Sequence, residues 1–168
     1  MEQDDKCQFL KLRNRDLAKE CEWMKKKIIL SIAFLISLLP MLFNQYGGLK
    51  GVQEITGLIN LLNPIGIVSV ILFVLGVWFP FKKRVVSKSL GALGVIGIVV
   101  SEIYKFLTWH TLTVTGEVSL QNSIRLAFPE FYIGLTISLV MVIAYFVIDK
   151  YTWHKDNFQF INLTLRHK

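Results

Sequence analysis

Glu102 is the first residue whose chemistry stands out, because this acid ends a long apolar stretch and is followed closely by Tyr104 and Lys105. A carboxylate inside a hydrocarbon layer is costly and commonly marks the path of an ion or a proton. The simpler interpretation is a local ion pair, since Glu102 and Lys105 are three residues apart and share one side of a helix. The sequence therefore offers Glu102, Tyr104 and Lys105 as candidate solute-contacting residues, with the local pair as the alternative.

The histidines and cysteines do not follow the spacing of a metal or redox motif. In the topology derived below, His110 and His154 lie on opposite sides of a membrane, so one chain cannot bring both to one metal ion. His167 accompanies His154 in a polar tail, and two histidines alone are a weak metal signal. Cys7 and Cys21 lack the C-x-x-C spacing of redox and zinc sites. We therefore expect no metal ion and no cofactor.

Four apolar blocks provide the frame that positions these side chains. Hydrophobic residues make up 53% of the 168 residues and the mean hydropathy is +0.49, which is too apolar for an ordinary soluble domain. A helix needs roughly 20 residues to cross a hydrocarbon core about 30 Å thick, and its backbone groups must bond to one another there. The sequence predicts an all-α bundle of four transmembrane helices, with spans at about 26–44, 62–81, 85–108 and 130–149.

The basic residues predict which way this bundle faces. Of the nineteen Lys and Arg residues, eight lie in residues 1–27, four in the connection 82–88 and four in residues 150–168. The three that fall on the other side are Lys50, Lys105 and Arg125. This positive-inside bias predicts a multi-pass protein of the plasma membrane with both termini in the cytoplasm. It also accounts for the net charge of +7, with anionic membrane lipids rather than nucleic acid as the partner.

The segments that flank the spans are both predicted to be cytoplasmic. Residues 1–27 read as an amphipathic helix whose apolar residues recur at spacings of three and four, a heptad pattern suited to a short coiled coil. The candidates for this self-association are Leu10, Asn14, Leu17 and Met24. The alternative is a helix lying on the lipid headgroups, because about two and a half heptads are few for autonomous pairing. Residues 150–168 are expected to form a cytoplasmic tail.

The first outer connection, residues 44–63, is predicted to be an interfacial helix. Its apolar residues recur at helical spacing, and they are Leu49, Val52, Ile55, Leu58, Ile59 and Leu62. The alternative is a re-entrant segment, since Asn60, Asn63 and Pro64 supply polar groups and a break in the helix.

The second outer connection is predicted to be a small β-hairpin or an extended loop. Polar and apolar residues alternate over residues 111–120, the period of an extended chain, and Thr115-Gly116 is a suitable turn. Pro129 and Glu130 then suit the first turn of the fourth span, where a missing amide costs little and a carboxylate favours the helix dipole.

Small residues mark one face of the third span. They are Ser87, Gly91, Gly94, Gly97 and Ser101. Small side chains let helices approach closely in a bilayer. We interpret this face as a helix-packing face, directed at another span or at another copy of the chain.

Three functions from different classes fit these features. The first is a non-enzymatic accessory subunit or self-protection protein of the cell membrane, whose partners are lipids and another membrane protein or further copies of itself. The second is a homo-oligomeric channel or small-solute transporter that uses Glu102. The third is a membrane enzyme acting on a lipid-linked substrate at the outer face through Glu102, His110, Glu117 and Glu130. Small size, the lack of a catalytic motif and a possible pairing helix favour the first function, and the second is set back because few polar residues lie deep in the spans. Enzymes normally show a tighter cluster than these four residues, so the third function ranks last.

Overall fold

The computed structural model describes residues 21, 23–47, 54–81, 83–111 and 116–165, with the backbone alone for residues 84, 149 and 151–165. The first helix, α1, covers residues 23–38. The elements that follow are a 3-10 helix Leu39–Leu42, β1 Asn44–Tyr46, β2 Ile55–Thr56, α2 Leu58–Leu62, α3 Pro64–Trp78, α4 Arg84–His110, α5 Leu120–Leu126 and α6 Pro129–Leu165. We call β1, β2, α2 and α5 the cap, and the opposite end of the bundle, where residues 79–83 join α3 to α4, the turn end.

The prediction of a mainly helical chain is confirmed. Among the described residues, two segments are long and apolar enough to cross a membrane, Val85–His110 in α4 and Pro129–Ile148 in α6. Helix α3, Pro64–Trp78, is apolar and shorter. Helix α6 continues well past the predicted fourth span, because its 37 residues run through to Leu165. Much of the predicted tail is therefore a continuation of this helix.

Helices α3 and α4 pack antiparallel through glycines. Gly94 lies against the backbone of Phe73, Gly76 against the backbone of Gly91, and Gly97 against the side chain of Ser69. Near the turn end, the Ser87 hydroxyl donates a 2.5 Å hydrogen bond to the carbonyl oxygen of Gly76.

The same face of α4 also meets α6. Gly91 lies directly under the Tyr145 hydroxyl, which donates a 3.0 Å hydrogen bond to the carbonyl oxygen of Lys88. The small residues of α4 thus lie against α3 and α6 of the same chain.

The cap is built around β1, which has a partner on each side. It pairs antiparallel with β2 on one side, and Tyr46 forms a bridge with Ala127 on the other. The amide of Gly47 donates to the carbonyl oxygen of Leu126 over 2.8 Å, and the amide of Phe128 donates to that of Gln45 over 2.9 Å. The segment between α5 and α6 is therefore tied to β1, and the cap closes over the ends of the helices.

The first outer connection differs from its prediction. Leu49 and Val52 lie outside the described residues, Ile55 and Thr56 form strand β2, and helical structure begins only at Leu58. Helical spacing was misleading here because β2 gains its backbone partners from β1, a segment ten residues earlier that spacing alone does not reveal.

The described part of the second outer connection also differs from the predicted hairpin. Thr111 continues the helical run of α4, residues 112–115 lie outside the description, and Gly116 has a φ of 71°, as expected for a turn. The second predicted strand is wrong at Leu120, which starts α5. Ser119 caps this helix, because its hydroxyl accepts a 3.4 Å hydrogen bond from the amide of Asn122.

Two apolar clusters fill the interior. The larger one lies between the helices and includes Phe34 stacked on Phe73 with ring centroids 3.9 Å apart. The second lies under the cap, where Phe106 stacks on Phe131 at 4.6 Å and Tyr46 lies 5.2 Å from Trp109. The self-association candidates Leu10, Asn14 and Leu17 lie outside the described residues, and Met24 is exposed on α1.

Candidate functional site

Buried polar side chains collect in the cap and in the ends of the helices beneath it. These nearly or fully buried residues are Gln45, Asn60, Asn63, Ser101, Glu102, His110, Ser123 and Ser138. Burying a polar group is costly unless it is hydrogen-bonded, so the partners of each one decide what it can do.

Asn63 is the centre of this network. Its side-chain oxygen accepts from the amides of Ile65 over 2.9 Å and Gly66 over 3.1 Å, which caps α3. Its side-chain nitrogen donates to the carbonyl oxygen of Asn60 over 2.7 Å and to the Ser101 hydroxyl over 2.6 Å. One side chain therefore fixes the break between α2 and α3 and ties it to α4.

Asn60 extends the network to β1. Its side-chain oxygen accepts a 2.8 Å hydrogen bond from the Tyr46 hydroxyl, and its side-chain nitrogen donates to Gln45 Oε1 over 2.7 Å. Gln45 in turn donates to the carbonyl oxygen of Pro40 over 3.1 Å. The Ser101 hydroxyl completes the network by donating a hydrogen bond to the carbonyl oxygen of Asn60. Four segments of the chain are thus joined by side-chain hydrogen bonds.

Glu102 points into the bundle rather than along its own helix. The local pair with Lys105 is not formed, and Glu102 Oε1 instead accepts a 2.9 Å hydrogen bond from the Ser138 hydroxyl of α6. Only 1% of the Glu102 surface is exposed, and its second oxygen, Oε2, has no hydrogen-bond partner among the described residues. Glu102 is therefore a buried acid with one of its two oxygens available.

The other two candidate solute-contacting residues do not join Glu102. Tyr104 is exposed, and the ammonium of Lys105 lies 5.9 Å from the centroid of the Tyr104 ring. Sequence reasoning missed Ser138, the hydrogen-bond partner of Glu102, and Tyr46, a fully buried phenol in the cap. Burial raises the pKa of the Tyr46 phenol, the hydrogen bond to Asn60 lowers it, and the charge of Glu102 raises it further.

The residues considered for an enzyme are dispersed. His110 is fully buried, with Nε2 2.8 Å from the Ser123 hydroxyl, and Ser123 donates over 3.0 Å to the carbonyl oxygen of Ser119. That pairing fixes α5 to the end of α4. Glu117 and Glu130 are exposed. Within the described ranges, no three His, Cys, Asp or Glu residues lie close enough together to hold a metal ion.

Comparison with known proteins adds no precedent for this arrangement. No family model, curated protein or solved structure matches the chain. The function is therefore inferred from the chemistry of the described residues.

Replacing Ser138 with alanine is expected to lower the free energy of unfolding by about 1–3 kcal/mol, since it leaves the whole Glu102 carboxyl buried without a partner. Reversible unfolding in mild detergent measures the change. Thr136→Ala is the matched control, because this exposed hydroxyl bonds only to the preceding turn, and we expect a change within about 0.5 kcal/mol. If Ser138→Ala costs as much in a Glu102→Leu background, the contact is not the cause.

Proposed function

We propose that the chain is a four-span protein of the plasma membrane that acts without enzymatic activity, as an accessory subunit or self-protection protein that binds another membrane protein. In this arrangement α1, α3, α4 and α6 cross the bilayer and both termini are cytoplasmic. The strands of the cap and α5 then lie at the outer face, α2 extends α3 through the outer part of the hydrocarbon core, and the turn end lies at the cytoplasmic face.

Exposed apolar side chains support the membrane placement. They run along α1, α3 and α6, for example at Leu35, Val68 and Ile143, where more than half of each side chain is exposed. Patches of this extent on a soluble monomer would mark an interface, and a bilayer covers all sides of a bundle at once. Trp23 and Trp78 are half exposed at the turn end beside the basic residues, as in an interfacial aromatic belt.

The break at Asn63 is compatible with a spanning segment. Helices α2 and α3 together cover Leu58–Trp78, which at 1.5 Å per residue is about 30 Å and matches the hydrocarbon core. Backbone groups freed by a break in a membrane helix need partners from the protein. The Asn63 side chain supplies them by capping α3, so the break leaves the amides of Ile65 and Gly66 satisfied.

The observation that supports the non-enzymatic proposal is that the buried polar side chains bond to one another and to the backbone. Asn63, Asn60, Gln45 and Tyr46 bond to one another and to the backbone, so their polar groups hold the cap on the helices. Such a network gives a rigid outer surface, which suits a protein that is recognised by a partner.

The test is purification of the full-length protein from its native membrane in mild detergent, followed by mass determination of the intact particle. We expect one second protein in a fixed ratio, retained equally by Glu102→Gln. Deletion of residues 1–24 shows whether the N-terminal segment or the cap holds that partner. A particle that contains only this chain contradicts the proposal.

Glu102 supports a second candidate, a homo-oligomeric channel or small-solute transporter. Its free oxygen is buried among the helices, where an ion, a proton or a polar solute could bind. The small-residue face of α4 counts against this candidate, because it packs on α3 and α6 of the same chain. A pure homo-oligomer whose flux in liposomes is lost in Glu102→Gln would favour transport.

A further inference from the structure

A small cleft lies at the turn end of the bundle, where α1, α3, α4 and α6 meet. Its volume is about 70 Å³, and its polar and aromatic lining consists of Trp23, Lys26, Lys27, Ser87, Lys88 and Tyr145. This is about half the volume of a cavity that holds a benzene ring, so the cleft admits a small group rather than a whole ring.

Lys27 is the residue that gives this cleft a chemical preference. Only 7% of its surface is exposed, and its ammonium lies 3.3 Å from the centroid of the Trp23 ring. It donates one 3.4 Å hydrogen bond to the carbonyl oxygen of Trp78. Within the described part of the chain, no carboxylate forms an ion pair with it. An ammonium has three donors and is costly to bury without a counter-charge, so an anion in the cleft would stabilise it.

Other charges around the cleft have the same sign. Lys26 and Lys88 are half-buried in its lining, and none of the described lining residues is acidic. Ser87 and Lys88 belong to the first turns of α4, where the helix dipole is positive. Along the sequence, residues 22–27, 82–88 and 149–150 carry eight basic residues and two acidic ones. Three lysines and the first turns of α4 therefore meet at the cleft.

We propose that this cleft binds a phosphate group, supplied by the headgroup of an anionic lipid. Lysines bind phosphate as point charges, and three of the lining residues are lysines. The lipid is the favoured source because Trp23 and Trp78 place the cleft at headgroup depth. The lipid source rests on the proposed membrane placement, and the site does not depend on a protein partner.

Binding of phosphatidylglycerol to the full-length protein in neutral detergent, read from the mass of the intact particle, tests this site. We expect the first phosphatidylglycerol molecule to bind more tightly than those that follow it. Phosphatidylcholine should bind about tenfold more weakly than this first phosphatidylglycerol. The paired change Lys26→Gln with Lys88→Gln is expected to weaken that first binding step by about a hundredfold, about tenfold for each lost charge-assisted contact.

The matched control is Lys25→Gln with Lys83→Gln, which removes two exposed charges from the same end outside the cleft. We expect less than about threefold weakening, and Lys88→Arg should retain binding. Should the paired variant not fold, each single lysine change is measured alone. Equal weakening in cleft and control pairs, or no preference for phosphatidylglycerol, overturns the site.

Competition with inorganic phosphate on the unmodified protein separates the two sources of the phosphate group. If millimolar phosphate displaces the first lipid, the site binds phosphate itself and free phosphate is the source. If the lipid stays bound and remains sensitive to the cleft lysines, the headgroup is the ligand. Retention of the protein partner is measured on the same preparation. A protein that shows no preference for phosphatidylglycerol but keeps its protein partner contradicts the lipid site and leaves the proposed function standing.

Discussion

Replacing Gly94 with alanine is expected to lower the free energy of unfolding by about 3 kcal/mol or more, with a larger loss for leucine. A Cβ at this position would lie 2.5 Å from the backbone nitrogen of Phe73 and 2.7 Å from its Cα. These atoms belong to the backbone of α3, so only separation of the two helices relieves the overlap. Reversible unfolding in mild detergent measures the loss.

Gly97 supplies the matched glycine control on the same helix. A Cβ there would meet the end of the Ser69 side chain, and Ser69 can rotate or be replaced. We therefore expect Gly97→Ala to cost less than half as much as Gly94→Ala, and Ser69→Ala to rescue most of the loss. Ser89→Leu, on the exposed side of α4, tests added bulk alone. Equal losses at positions 94 and 97 would contradict backbone contact as the cause.

The helices that could be predicted from the sequence are those whose signals are local. The predicted second, third and fourth spans began at 62, 85 and 130, and α3, α4 and α6 begin at Pro64, Arg84 and Pro129. Asn63-Pro64 and Pro129-Glu130 are start signals that act within one turn. The end of α6 was missed because residues 150–165 lose the apolar pattern while their backbone stays helical.

The cap and the polar network could not be predicted because their partners are far apart in the chain. Glu102 meets Ser138, 36 residues away, and Asn63 meets Ser101, 38 residues away. Spacing along one helix suggested Lys105 as the partner of Glu102, and the packing of α4 on α6 supplied a different one. Asn63 was recognised as a break in the helix, but its role as a tie to α4 depends on tertiary structure.

The largest polar effect is expected at Asn63. Asn63→Ala removes the cap of α3, which is worth about 1 kcal/mol. It also removes the hydrogen bonds from Asn63 to the Ser101 hydroxyl and to the carbonyl oxygen of Asn60, at about 0.5–1.5 kcal/mol each, while those two groups stay bonded to each other. We expect a total loss of about 2–4 kcal/mol in the free energy of unfolding. Unfolding in mild detergent, followed by tryptophan fluorescence, measures it.

Asn63→Asp separates the two roles of Asn63, which are the capping of α3 and the hydrogen bonds that tie it to Asn60 and Ser101. An aspartate keeps the oxygen that accepts from the amides of Ile65 and Gly66, so α3 remains capped. The donor nitrogen becomes an acceptor oxygen facing the carbonyl oxygen of Asn60, so that contact turns from attractive to repulsive. If the tie carries most of the energy, Asn63→Asp loses about as much stability as Asn63→Ala despite its intact cap. A near-native Asn63→Asp protein would mean that the capping of α3 carries the energy and that the hydrogen bonds to Asn60 and Ser101 contribute little.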